Sequence, residues 1–111
     1  MLIKKEILKE SNVFISLCQA HKVKYLFAFG SSTNDNFDPD KSDIDLLVEI
    51  DDLDPVEKGE KLISLWDTFE GFFHRKVDLL TESSIHNPYL RKSIDATKIL
   101  IYDGLHQKIF I

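Results

Sequence analysis

Apolar residues recur near a 3.6-residue period from Ile3 to about Ala20, where Ile7, Leu8, Phe14, Leu17 and Cys18 share one side and Lys4, Lys5, Lys9 and Glu10 are left for solvent. The spacing predicts one amphipathic helix. From Val23 to Phe29 the period changes. This run is rich in β-branched and aromatic residues and carries apolar groups on both alternating faces, as a strand covered on both sides does. It stops at Gly30-Ser31-Ser32. A second strand is predicted from about Asp43 to Ile50, with Ile44, Leu46, Val48 and Ile50 on one face and Asp43, Asp45, Leu47 and Glu49 on the other. Only the first of these faces has the composition of ordinary core.

Asp54-Pro55-Val56-Glu57 combines a capping acceptor, a proline at the first helical position and an acid three residues after the cap. A helix should begin there and end near Gly71, with Leu62, Leu65, Trp66, Phe69 and Phe73 at helical spacing as a buried packing face. Arg75 to Leu80 follows as a short strand. Asn87-Pro88 opens a further helix by the same logic, and Lys98 to Tyr102 alternates as a last strand. The order is α, β, loop, β, α, β, α, β.

The 111 residues suffice for a single domain, taken as 1–111, and leave no length for a second core. Nineteen acids against fourteen bases give a charge of -5, the wrong sign for gripping a phosphate backbone, so direct nucleic-acid binding is not expected. The single cysteine, Cys18, excludes an intramolecular disulfide and fits a reducing, cytoplasmic location. No run approaches the roughly 20 apolar residues of a membrane span, and the first residues lack a signal-peptide core, so no membrane partner is expected. His21, His74, His86 and His106 are scattered without ligand spacing.

The candidate chemistry lies in the acids. Residues two apart on a strand point to the same side, so Asp43 and Asp45 present paired carboxylates, which select Mg²⁺ or Mn²⁺ over softer metals. A bare Asp-x-Asp is equally a solvated strand start, but two features of the surrounding sequence add to it. The Gly30-Ser31 turn offers closely spaced backbone N–H groups with no bulky side chain in the way, as a phosphate group needs. Asp78, alternating with Val77 and Leu79, is free to face the same cleft if its strand lies beside the first.

Phe29-Gly30-Ser31, Ser42-Asp43-Ile44-Asp45-Leu46-Leu47-Val48 and Val77-Asp78-Leu79-Leu80 together resemble the signature of the DNA polymerase β-like nucleotidyltransferases. Given the length, the chain is most similar to the minimal nucleotidyltransferases (MNT). The resemblance spans nearly the whole chain and implies an α+β fold, a mixed β-sheet flanked by helices, and a role for each motif. Gly30 and Ser31, with the adjoining Ser32, would hold the phosphates of ATP or another NTP. Asp43 and Asp45 would hold Mg²⁺, and Asp78 would complete a two-metal site and help activate the acceptor hydroxyl.

The chain departs from the family pattern in two places. Many relatives carry a basic residue and a glycine soon after Gly-Ser, where this chain reads Ser32-Thr33-Asn34-Asp35-Asn36, and eleven residues, Ser32 to Ser42, separate Ser31 from Asp43, one more than usual. Lys41 is the basic residue in the same loop that could substitute, among Asp35, Asp38 and Asp40.

The resemblance also implies a partner. Minimal nucleotidyltransferases commonly act as antitoxins beside a small helical HEPN ribonuclease toxin, and some transfer AMP to a tyrosine of that toxin. An acidic surface suits a basic, RNA-cutting partner. Two alternatives stand beside this expectation: a noncatalytic module that neutralises its partner by occlusion, and nucleotidyl transfer to a small molecule. The apolar tail Ile109-Phe110-Ile111 reads equally as a packed terminus or as part of an interface.

Overall fold

The computed structural model describes residues 2–34, 38 and 40–111. Asp35 and Asn36 of the acidic loop lie outside the described residues. The helices are α1 (Leu2–Lys9), α2 (Ser11–Ala20), α3 (Pro55–Phe73) and α4 (Pro88–Thr97). The strands are β1 (Val23–Ala28), β2 (Ile44–Ile50), β3 (Val77–Leu80), β4 (Ile99–Asp103) and β5 (Lys108–Ile109), with short 3-10 turns at Gly30–Thr33 and Glu82–Ser84. They form one mixed five-stranded sheet in the order β3-β2-β1-β4-β5, parallel between β2 and β3 and antiparallel elsewhere. The expected α+β architecture is the observed one.

Both proline-led helices begin where the sequence places them. The Asp54 carboxylate accepts from the N–H groups of Val56 and Glu57, both at 3.0 Å, and Asn87 Oδ1 accepts from Tyr89 N–H at 2.8 Å. These caps satisfy donors that have no partner within the helix. α3 runs past Gly71 to Phe73 and ends on His74 in the left-handed region, φ 54°. The predicted first helix is two, because the chain turns at Glu10 (φ -136°, ψ 51°). Ile3, Ile7, Phe14 and Cys18 are all buried across that turn, so the apolar period runs unbroken through it and carries no sign of the bend.

The main core lies between one sheet face and α1, α2 and α3. Leu26, Leu46 and Val48 pack there with Phe14, Phe69 and Phe73, and the Phe14 ring stacks on Phe69 at 5.9 Å between centroids. Cys18 belongs to this core, where burial pushes its thiol pKa far above the ordinary value and leaves it unreactive. The other face is more covered than its composition predicts: Leu47 joins Phe29 and Ile94 of α4 in a smaller cluster. Trp66 departs from its expected place in the buried face, being 38% exposed, for a reason given below. In the tail, Ile109 and Ile111 pack on the core while Phe110 is half exposed.

Gly104, directly after β4, lies tightly against the start of β1. Its N–H donates to Lys24 O at 2.7 Å, and a Cβ there would overlap the Val23 carbonyl oxygen. Backbone cannot yield as a flexible side chain can, so Gly104→Ala is expected to destabilise the fold by about 2 kcal/mol, in the range of overpacked sites. A thermal melt should show a midpoint several degrees lower.

Candidate active site

The sheet topology brings the sequence motifs to one end. Because β1 and β2 are antiparallel, the end of β1 lies beside the start of β2: Ala28 pairs with Leu46, and Phe29 N–H donates to Asp45 O at 3.1 Å. The chain leaving β1 must therefore turn directly over Asp45. Gly30 makes that turn at φ 64°, a conformation that L side chains rarely adopt, and a Cβ there would stand 2.9 Å from Asp45 Oδ2. Glycine is required both by its backbone and by the carboxylate it lies against.

Three hydroxyls fix the turn. Ser32, buried at 3% exposure, accepts from Asp45 N–H through Oγ at 3.0 Å, tying the turn to β2. Thr33 Oγ1 donates to Gly30 O at 2.8 Å. Thr97, at the end of α4, donates its hydroxyl to Ser93 O at 2.8 Å and accepts Gly30 N–H at 2.9 Å. The Gly30 N–H is thus already engaged. Ser31 is half buried at the middle of the turn.

Asp45 and Asp78 are register partners on the parallel strands β2 and β3. Asp45 has its pKa raised to about 6, first by burial, then by the negative charges of Asp78 and Asp43 and by a hydrogen bond with the Asp78 carboxyl. Asp43, one residue before β2, lies 3.8 Å from the ammonium of Lys76, whose side chain is 70% exposed. The structure therefore brings Asp45, Asp78 and the Gly30 turn together, with Asp43 at the rim facing Lys76. Lys41 is exposed in a turn built around Asp38, to whose carbonyl its N–H donates at 3.2 Å.

Among the described residues no three His, Cys, Asp or Glu side chains stand in a ready-made ligand cluster. The donor chemistry nevertheless fits a hard divalent cation. Two carboxyls are already in contact, the inner one has its charged form disfavoured, and a third carboxylate is close enough to raise its pKa. A cation would relieve that repulsion. Asp45 and Asp78 stand near the starts of the parallel strands β2 and β3. A cavity of about 490 Å³ lies at the opposite end of β2 and β3, lined by Val48, Ile50, Gly59, Leu62 and Thr81, away from the acids.

Thr97 and Lys76 join the site without having been assigned a place in it from the sequence. Lys76 is legible as a cation two residues before Asp78. Thr97 has no local signal, because its bond to Gly30 spans 67 residues.

The Gly30 turn thus lies over two neighbouring strand carboxyls, and the family model described as nucleotidyltransferase domain matches residues 10–101. The chain belongs to the nucleotidyltransferase domain family. Its relatives include two Methanocaldococcus jannaschii proteins named as candidate protein adenylyltransferases, 41% and 37% identical over 97 residues, which cover 87% of this chain and 93% of each relative. Among solved structures, a protein named as a candidate minimal nucleotidyltransferase is 26% identical, with TM-score 0.57 over 85% of this chain and 92% of its own. A toxin-antitoxin complex with AMP-PNP shares the fold at 21% identity, with TM-score 0.58 over 88% of this chain and 77% of the other. No helix among the described residues is long and apolar enough to cross a membrane.

Proposed function

We propose that this nucleotidyltransferase is a Mg²⁺-dependent protein adenylyltransferase of the antitoxin type, which moves AMP from ATP to a tyrosine hydroxyl of a small helical HEPN-type toxin. The observation that carries the reading is the contact between Asp45 and Asp78 beneath the Gly30 turn, in a chain 41% identical over nearly the full length of a relative named for protein adenylylation. The toxin-antitoxin complex of the same fold, crystallised with AMP-PNP, supports the choice of partner and nucleotide.

In this reading the N–H groups that follow Gly30 hold the phosphates, with Ser31 at the open surface of the turn. Ser32 acts from beneath by holding the Asp45 backbone. Asp43, Asp45 and Asp78 would hold the cation, with Asp43 giving up its contact with Lys76. Mg²⁺ bound there supplies charge neutralisation for the entering and leaving oxygens of an in-line displacement. The acceptor oxygen forms its bond to the α-phosphorus as the bond to pyrophosphate breaks. The hydroxyl proton would pass to Asp78 as the bond forms, the acid that the resemblance assigns to activating the acceptor. Lys76, freed from Asp43, is the cation placed to face the polyphosphate in a loop that lacks the usual basic residue.

Transfer of label from α-³²P-ATP to the co-purified partner, dependent on Mg²⁺ and abolished by EDTA, is the expected result. If the variant carrying Asp43→Asn and Asp45→Asn still neutralises the toxin and no label is transferred by the unmodified chain, the occluding module is the correct reading.

A further inference from the structure

β3 is the end strand of the sheet, yet the outward side of its first residue is not left unpaired. Ile44 is the register partner of Val77 and donates to Lys76 O at 3.0 Å, so the ladder to β2 runs through the residues flanking Val77. The Val77 peptide groups point outward, away from β2. Two side chains of α3 take both of them. Val77 N–H donates to Glu70 Oε2 at 3.0 Å, and Trp66 Nε1–H donates to Val77 O at 2.6 Å. Trp66 and Glu70 stand four residues apart on one helix face, so α3 offers an acceptor and a donor to Val77 much as a sixth strand would. This bond is also why Trp66 lies at the surface rather than in the core.

The turn into β3 is held as well. His74 adopts the left-handed conformation, and Arg75 donates to Glu6 at 3.0 Å and to Phe73 O at 3.3 Å. Asp78, which follows Val77 directly, is thereby fixed opposite Asp45. We propose that Trp66 and Glu70 are positioning residues for the transfer reaction: by bonding Val77 from α3 they hold the short end strand in place and keep Asp78 against Asp45. This rests on the reading of Asp45 and Asp78 as active-site acids. A four-residue end strand without such support opens locally at little expense to global stability, whereas a displacement of about 1 Å in a reacting group is enough to lower a rate about a hundredfold.

The test is Mn²⁺ binding to the folded chain without nucleotide, followed by electron paramagnetic resonance well below the melting midpoint. Glu70→Leu and Trp66→Phe each remove one bond to Val77, and Glu70→Gln keeps an acceptor oxygen. We expect Mn²⁺ affinity to fall about tenfold in Glu70→Leu and in Trp66→Phe, as for residues that orient metal ligands from behind, and to stay within about twofold in Glu70→Gln. Amide exchange should rise at Val77 to Leu79 and stay unchanged in β1. Unaltered Mn²⁺ affinity in both Glu70→Leu and Trp66→Phe, even with lower melting midpoints, would overturn the proposal. So would equal loss in Glu70→Gln and Glu70→Leu, which would implicate charge rather than the bond. If Glu70→Leu does not fold, Trp66→Phe decides. Asp78→Asn separates the two levels: intact Mn²⁺ binding there overturns the acid-site reading and this inference with it, whereas its loss alongside normal binding in Glu70→Leu and Trp66→Phe overturns the positioning role alone.

Discussion

Asp45→Asn is expected to lower nucleotidyl transfer by about a thousandfold while leaving a folded chain that melts higher than the wild type at pH 7. The activity loss follows from the place of Asp45. It is the inner carboxyl of the pair, against the Gly30 turn and hydrogen-bonded with Asp78. A cation held there is worth several kcal/mol of transition-state charge stabilisation, and each 1.36 kcal/mol is tenfold in rate.

The stability gain follows from the same geometry. The folded-state pKa of Asp45 is raised from 3.8 to about 6, so folding disfavours its ionised form. For an acid shifted upward, stability is highest below pH 3.8, where both states are protonated, and falls as pH rises through about 6. Asn removes this penalty. Because the carboxyl is partly exposed, solvent screening leaves a gain on the order of 1 kcal/mol, or about 4 °C. Thermal melts in EDTA across pH should show the variant ahead at pH 7 and level with the wild type near pH 4. Adding Mg²⁺ should raise the wild-type midpoint and leave that of Asp45→Asn nearly unchanged.

Gly30→Ala should cost both stability and rate, through two separable causes. The left-handed conformation at φ 64° disfavours alanine by about 1–2 kcal/mol. Its Cβ would also stand 2.9 Å from Asp45 Oδ2, so the carboxylate must swing aside. A shift of that kind in a reacting group lowers a rate about a hundredfold. The two causes part company in a double-mutant cycle. In an Asp45→Ala background the contact is gone and only the backbone term remains, so Gly30→Ala should destabilise less there than in the wild type. Equal effects in both backgrounds would show that the contact with Asp45 carries no energy.

Much of this site could be read in the sequence because its residues break local patterns. Asp43 and Asp45 interrupt an apolar strand, Asp78 interrupts Val-x-Leu, and Gly30 ends β1 abruptly. Asp54 and Asn87 were legible as caps because each precedes a proline and accepts from backbone within three residues. What was illegible depends on contacts far along the chain. The turn at Glu10 preserves the apolar period, and β5 is two residues long, too short for alternation to register. Trp66 was read as core from its spacing, since helical periodicity reports a face and not the carbonyl of Val77 eleven residues on. Thr97 and Ser32 hold the active-site turn by single hydrogen bonds to Gly30 and Asp45, which no spacing rule encodes. Strand order and the antiparallel pairing of β1 with β2, which bring Gly30 to Asp45, likewise arise only when the sheet assembles.

The central claim is that the acids beneath the Gly30 turn transfer AMP to a partner protein. Its most direct test is the intact mass of both chains of the purified complex with the protein encoded beside this one, before and after incubation with Mg²⁺ and ATP. The account predicts whole AMP units added to the partner and none added when Asp45→Asn replaces the wild-type chain. A partner of unchanged mass with the wild-type chain, or AMP addition that persists in Asp45→Asn, would contradict it.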